Sequence, residues 1–288
     1  MPDAPLSISV LGCGWLGRPL AAAWAADGYT VYGATTTEAK LDVLRGDGIR
    51  PVLCRLEPEV TGEAPERLFD ADVLVLNVPP SRAPNDPAAY HAQQVQAVAR
   101  AAREGRTRWI VMASSTGVYP PTDGPVTEAD AWPDALDALP PPRRATSRAV
   151  RAAEQTLWAA RDALDITIVR LAGLYGGDRH PARYLAGRAN VSRPQAPVNL
   201  IHRDDCIGLL RALVAQDARN DVFNACADRH PARADFYPAA ARAMDLAPPT
   251  FDTDDEAGGK RIVNDKIKAR LGYTFQHPDP MADVAGRA

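Results

Sequence analysis

The stretch RWIVMASSTGVY, residues 108–119, is a β-branched apolar run that breaks into hydroxyl-bearing residues. It predicts a strand over 108–114 that carries Ser114 and Ser115 to the carboxyl edge of a sheet, the edge at which open α/β sheets hold their ligands. A hydroxyl donates and accepts hydrogen bonds but is no catalyst alone. What these serines work with therefore separates an enzyme from a protein that only binds.

A second run with chemistry in it stands near the start. VLGCGWLGRPL, residues 10–20, holds Gly12, Gly14 and Gly17 in G-x-G-x-x-G spacing. The first glycine makes a tight turn, the second lets a pyrophosphate approach the backbone, and the third seats the helix close to the strand, so that an anion meets the helix N-terminus. The motif follows a predicted strand, opens an alanine-rich helix and lies in a strand–helix–strand unit, the context that makes it a dinucleotide site. Trp15 and Leu16 within the loop, and Asn77, Val78 and Pro79 at the end of a strand predicted over 72–78, are further candidate cofactor contacts.

An acidic residue for the adenosine ribose is expected about twenty residues beyond the loop. Thr35 stands there, in GATTTEAK, with Glu38 three residues later. Without that carboxylate the strand end can admit a 2′-phosphate. Its partners would be the hydroxyls of Thr35, Thr36 and Thr37, the next helix N-terminus, and Lys40 or Arg55. Thr35-x-x-Glu38 also has the spacing of a capping box, which would only start a helix. NADP is the cofactor read from this end, with NAD as the alternative.

Positioning these residues requires a sheet. Apolar runs at 6–11, 29–33, 51–54, 72–78, 108–114 and 165–171 alternate with helical stretches at 16–28, 88–104 and 146–163. Near-continuous apolar strands separated by helices predict a doubly wound parallel α/β sheet of Rossmann type over residues 1–174. After Tyr175 the pattern loosens into a small substrate-binding part, 175–288, from which 221–226 is expected to return a strand to the main sheet, followed by a helix over 233–246 and an irregular tail.

Composition excludes other classes. With 33 basic and 36 acidic residues and a net charge of −3, the 288-residue chain has no basic run of the kind that tracks nucleic acid. No window approaches the roughly 18 apolar residues of a membrane span, so a soluble, cytoplasmic protein is expected. Cys13, Cys54, Cys206 and Cys226 form no C-x-x-C pair or metal-ligand spacing and read as buried thiols. The expected partner is a small molecule, with a homodimer left open.

The glycine loop, ASSTGVY, TIVRLAGLYGGDRHP, NLIHRDD and VFNACA, in that order, resemble the extended short-chain dehydrogenase/reductase superfamily of the NAD-dependent epimerase/dehydratase type. The likeness is greatest to its YeeZ-like subgroup and runs from about residue 6 to about 280. It implies a serine or threonine at the end of the fifth strand, matched by Ser115, and a Tyr-x-x-x-Lys pair on the following helix. If Glu154 fixes the register as in the family, the pair falls at positions 146 and 150, which hold Thr146 and Val150. No tyrosine lies between Tyr119 and Tyr175, and no lysine between Lys40 and Lys260, so no other register supplies the pair.

The family's lysine lowers the pKa of the tyrosine that exchanges the substrate's proton. A threonine cannot do that work, and another acid is required. Candidates are Tyr119, although a tyrosine there is usually structural in relatives, and His180 and His202, which titrate in the useful range. Arg143, Arg144, Arg183 and Arg203 are candidate partners for an anionic substrate. The leading reading is an NAD(P)-dependent oxidoreductase or epimerase acting on a polar small molecule. The alternatives are a non-catalytic NAD(P)-binding sensor, which the missing pair favours, and a lyase or isomerase without net hydride transfer.

Overall fold

Val73 and Val75 of one strand pack into one hydrophobic core, and Leu74 and Leu76 of the same strand into another. That alternation, repeated across the central strands, buries a sheet on both faces. The structure is a computed structural model that describes residues 6–81 and 85–285. Its strands are β1 (Ser7–Leu11), β2 (Thr30–Thr35), β3 (Arg50–Leu56), β4 (Val60–Gly62), β5 (Val73–Leu76), β6 (Trp109–Ser115), β7 (Gly124–Val126), β8 (Asp165–Leu171), β9 (Gly173–Tyr175), β10 (Leu200–His202), β11 (Asp221–Ala225) and β12 (Lys260–Ile262).

The main sheet runs β11-β8-β6-β5-β1-β2-β3-β4. All its pairings are parallel except β3–β4, which is antiparallel at the edge. From β1 the chain builds outward through β2 and β3, then crosses to the other side through β5, so the order reverses between β1 and β5 and leaves a crevice there.

Helices α1 (Gly17–Ala26), α2 (Leu41–Gly46), α3 (Pro87–Glu104), α4 (Ala145–Trp158), α5 (Arg203–Ala215), α6 (Arg233–Arg242), α7 (Asp265–Leu271) and α8 (Pro280–Ala285) complete the chain. Leu20 and Trp24 of α1, Leu209 and Leu213 of α5 and Ile267 of α7 cover one face of the sheet. Val95 and Val98 of α3 and Leu157 and Trp158 of α4 cover the other. Asp86 starts α3 by accepting from the Ala88 and Ala89 N–H groups at 3.0 and 3.1 Å, which satisfies two donors that a helix start leaves without partners.

The strand expected over 221–226 is β11, which pairs with β8 in the main sheet. Because α5 and α7 also pack on that sheet, position 175 divides the sequence more sharply than it divides the packing. Tyr175, Val198, Leu200, Phe236 and Ala240, all from the later part of the chain, form a smaller third core. The tail, expected to be irregular, contains β12, α7 and α8. Elements of three to seven residues are too short to show a readable hydrophobic period. The four cysteines are free and buried.

Candidate functional site

A cleft of about 790 Å³ opens over the crevice, with the glycine loop as its floor. Gly12 has φ of +111°, and a Cβ there would meet the Asn77 carbonyl oxygen at 2.4 Å. Gly17 starts α1, and a Cβ on it would stand 2.1 Å from the Gly12 carbonyl oxygen. Between them, a Cβ on Gly14 would meet nothing within 4 Å. The outer glycines thus let the chain pack, and the middle one leaves room above its backbone. The Asn77 side-chain amide donates to the Gly12 carbonyl at 3.0 Å, tying the end of β5 to the loop. This cradle, open over the first turn of α1, fits a dinucleotide pyrophosphate.

The two kinds of glycine predict different failures. Gly14→Val should fold with nearly unchanged melting temperature but lose the stabilisation that a dinucleotide confers. Gly17→Ala should lower the melting temperature without any ligand. Thermal melts with and without cofactor check both. A Gly14→Val protein that still gains stability from the dinucleotide would overturn the placement of the pyrophosphate.

At the β2 end the cleft is lined by Thr35, Thr36, Thr37 and Lys40. The Thr35 hydroxyl accepts from the Thr37 N–H at 3.2 Å and so shapes the turn. It forms no capping box with Glu38: the short 3-10 turn Glu38–Lys40 has Thr37 before it and no side-chain cap. Arg55 is a correction. Cys54 and Leu56 of β3 line the cleft, and the period of two sends the side chain between them to the other face. Arg55 is exposed and does not line the cleft, although it stands 3.8 Å from the carboxylate of Glu57, which does.

Trp15, Leu16, Val78 and Pro79 line the middle of the cleft together with Arg179. The indole N–H of Trp15 donates to the Asp178 carboxylate at 2.6 Å. The guanidiniums of Arg179 and Arg203 lie 4.3 and 5.3 Å from its ring centroids, within range of cation–π attraction. Arg179, which sequence reasoning passed over in favour of its neighbour His180, is thus a cation fixed on the wall of the dinucleotide cleft.

At the far end stands Ser115, whose hydroxyl accepts from the Gly117 N–H at 3.1 Å. Ser114 differs. Its hydroxyl donates to Glu154, which forms a fully buried ion pair with Arg170 at 2.7 Å. On α4, Val150 lines the dinucleotide cleft, while Thr146 lines a second cleft of about 640 Å³. Ser115 belongs to the walls of both clefts. The second is rich in cations: Arg143, Arg144, Arg193, Arg233 and Lys260.

The proposed acids need correction. Tyr119 is 2% exposed. Its hydroxyl donates to the Asn224 side-chain carbonyl at 2.6 Å and accepts from Arg170 at 3.0 Å. Burial pushes the phenol up to about 12 despite the pull of Arg170, so it holds the wall and exchanges no proton near neutrality. His180 and His202 line neither cleft. Each instead precedes a helical turn and accepts a backbone N–H through Nδ1, from Ala182 at 3.3 Å and from Asp204 at 3.2 Å. His202 also stacks on His277, with ring centroids 3.7 Å apart. Burial and the neighbouring His277 lower its pKa. Arg183 and Arg203 likewise stand outside the second cleft.

Residues 12–205 match a family model described as NAD(P)H-binding. The chain is 35% identical over 280 residues to Protein YeeZ of Escherichia coli strain K12, across 95% of this chain and 97% of that one. This chain belongs to the NAD(P)H-binding family and is YeeZ-like. Among solved structures, a conserved protein of unknown function from Silicibacter pomeroyi is 25% identical, with a TM-score of 0.74 over 98% of each chain. A short-chain dehydrogenase/reductase superfamily protein from Agrobacterium tumefaciens, solved with bound NAD, is 20% identical, with a TM-score of 0.75 over 98% of this chain and 96% of that one. At that identity the agreement is one of fold. The NAD(P)H-binding match of the YeeZ-like chain begins at Gly12 and so spans the glycine loop that floors the larger cleft.

Proposed function

We propose that this chain is an NADP(H)-dependent oxidoreductase or epimerase acting on a polar, anionic small molecule. The observation that carries the reading is the position of Ser115 on the shared wall of two clefts, one floored by the glycine loop and the other lined by cations. A bound nicotinamide would supply reversible two-electron chemistry at an oxygen-bearing carbon. Ser115 would hold the reacting oxygen. Arg143 and Arg144, at the mouth of the second cleft, and Arg233, in its wall, would hold the substrate's negative charge.

A specific observation favours a second reading, a cofactor-binding sensor without turnover. Val150, the position at which the resemblance would put a lysine, lines the larger cleft with an apolar residue. Cofactor oxidation or reduction followed by absorbance against a panel of carbonyl and alcohol substrates separates the two. Among the described residues, no helix is long and apolar enough to cross a membrane.

The choice of cofactor yields its own prediction. The cleft has three threonines and Lys40 at the β2 end, and its one lining carboxylate, Glu57, follows β3 instead of β2, so NADP(H) should stabilise the protein more than NAD(H). Ligand at a hundred times its dissociation constant adds about 2.7 kcal/mol, which for a chain of this size is a melting shift of about 5–10 °C. Equal or larger shifts with NAD(H) in a thermal scan would overturn the preference.

A further inference from the structure

We propose that Lys260 is the proton donor and acceptor for the substrate oxygen that Ser115 holds, supplying from β12 the acid that α4 does not carry. The inference rests on the oxidoreductase or epimerase reading and adds a residue to it. Lys260 lines the cation-rich cleft alongside Ser115, Thr146 and Ser147. Its Nζ donates to the Thr116 carbonyl at 2.7 Å and to the Tyr119 carbonyl at 3.3 Å, gripping the turn that follows Ser115. An ammonium has three donors. Two are used on carbonyls, and the third remains for an oxygen in the cleft.

The strand that delivers Lys260 is well fixed. It pairs in parallel with β7, Lys260 opposite Gly124. Asn199 clamps it from the other side, donating to the Lys260 carbonyl at 2.8 Å and accepting from the Ile262 N–H at 2.9 Å. A side chain on such a support can be held to the tolerance that proton transfer needs.

Burial lowers the lysine to about 8, against the two carbonyls and the Tyr119 ring 5.6 Å away, which favour its charged form. The charged and titratable groups around this end of the cleft are Arg143, Arg144, Arg193 and Arg233, with the phenols of Tyr119 and Tyr237. The acids at these arginines are Asp123, 3.6 Å from the Arg193 guanidinium, and Asp255, which accepts from the Arg193 backbone N–H at 2.9 Å. A lysine near 8 is charged enough at neutral pH to donate and acidic enough to do so usefully.

In the reductive direction the oxygen that becomes a hydroxyl takes its proton from Nζ, leaving a neutral amine that solvent protonates again. A bound reduced dinucleotide would supply the hydride, hydrogen nucleus and electron pair together, for the new C–H bond. In the oxidative direction the neutral amine accepts the hydroxyl's proton. Both directions conserve charge, and both predict a rate that depends on the ionisation of Lys260.

The test has two readouts. Protein labelled with [13C]lysine has four lysines, at 40, 260, 266 and 268. One Cε signal should titrate near pH 8 and be absent from Lys260→Met. For any carbonyl or alcohol that the panel shows to turn over with the dinucleotide, Lys260→Arg should keep the melting temperature, because it keeps the charge and the donors to both carbonyls. It should nevertheless lose about 100-fold or more in turnover and lose the pH limb near 8, because a guanidinium does not exchange its proton. Ethylamine should restore part of the rate to Lys260→Ala. Full turnover by Lys260→Arg would make the lysine a structural cation and overturn the proposal. A Lys260 signal that titrates above pH 9.5 would overturn it whatever the kinetics show. A panel with no turnover, alongside a signal near pH 8, would remove the enzyme reading and the proton donor with it. Turnover that survives in Lys260→Ala removes the donor alone.

Discussion

Arg170→Leu is expected to destabilise the protein by about 3–5 kcal/mol, because removing one partner of a buried ion pair leaves the other charge without compensation. Both side chains are 0% exposed. Arg170 donates to Glu154 through Nε at 3.1 and 3.2 Å and through Nη2 at 2.7 Å, and to the Ala131 carbonyl at 2.6 Å. It also reaches the Tyr119 hydroxyl and lies 4.8 Å from that ring's centroid. The substitution therefore leaves the Glu154 carboxylate with only the Ser114 hydroxyl and removes the Arg170 donor from the Ala131 carbonyl and the Tyr119 phenol. For a chain of this size the melting temperature should fall by roughly 6–20 °C.

The double variant Arg170→Leu with Glu154→Leu should recover part of the loss, since desolvating two charges offsets much of what a buried pair gains. Thermal and urea melts of the single and double variants measure the difference. A single variant within about 1 kcal/mol of wild type would mean that water reaches the pair. The network also bears on the site: Ser114 is fixed to Glu154, and Tyr119 to Arg170, so the chain on both sides of Ser115 is anchored to it.

Much of this could be read from the residues, and the exceptions have physical reasons. The glycine loop was legible because each glycine answers a separate steric demand, and those demands are visible in the structure as two collisions and one open space. The central strands were legible because burial on both faces makes them apolar throughout. The reading of α4 rested on Glu154 as the register mark, and of the two positions it singles out Val150 lines the larger cleft and Thr146 the second.

Arg55 was misplaced because the strand was ended at 54. Extended to Leu56, as β3 is, the alternation from Cys54 turns Arg55 away. His180 and His202 were drawn in by their titration range, but each side chain is engaged by a backbone N–H at a helix start, a local geometry that residue type does not announce. Lys260 was named only as the end of a stretch without lysines. Its contact with Thr116 spans 144 residues and depends on a three-residue strand, so neither spacing nor periodicity could bring it to the site.

Ser115→Ala is expected to lower turnover by about 10- to 1000-fold while leaving the dinucleotide's affinity nearly unchanged, the range for losing one hydrogen bond to a reacting oxygen in a dry site. The geometry supports a donor role. The Ser115 oxygen already accepts from the Gly117 N–H at 3.1 Å, which leaves its proton for a ligand. A Cβ built on Gly117 would stand 2.7 Å from the Ser147 hydroxyl and 3.2 Å from that of Ser115, so two hydroxyls flank one glycine at the junction of the clefts. Ser147→Ala alone should cost less, because Ser147 lines the second cleft while Ser115 belongs to both. Ser115→Thr should retain more activity than Ser115→Ala, since the hydroxyl survives and only a methyl is added. Steady-state kinetics on the three variants, with the cofactor's dissociation constant measured separately by fluorescence, tests the order. A loss that falls on cofactor affinity instead of turnover would place Ser115 in the dinucleotide site and leave the substrate oxygen to Ser147 and Lys260.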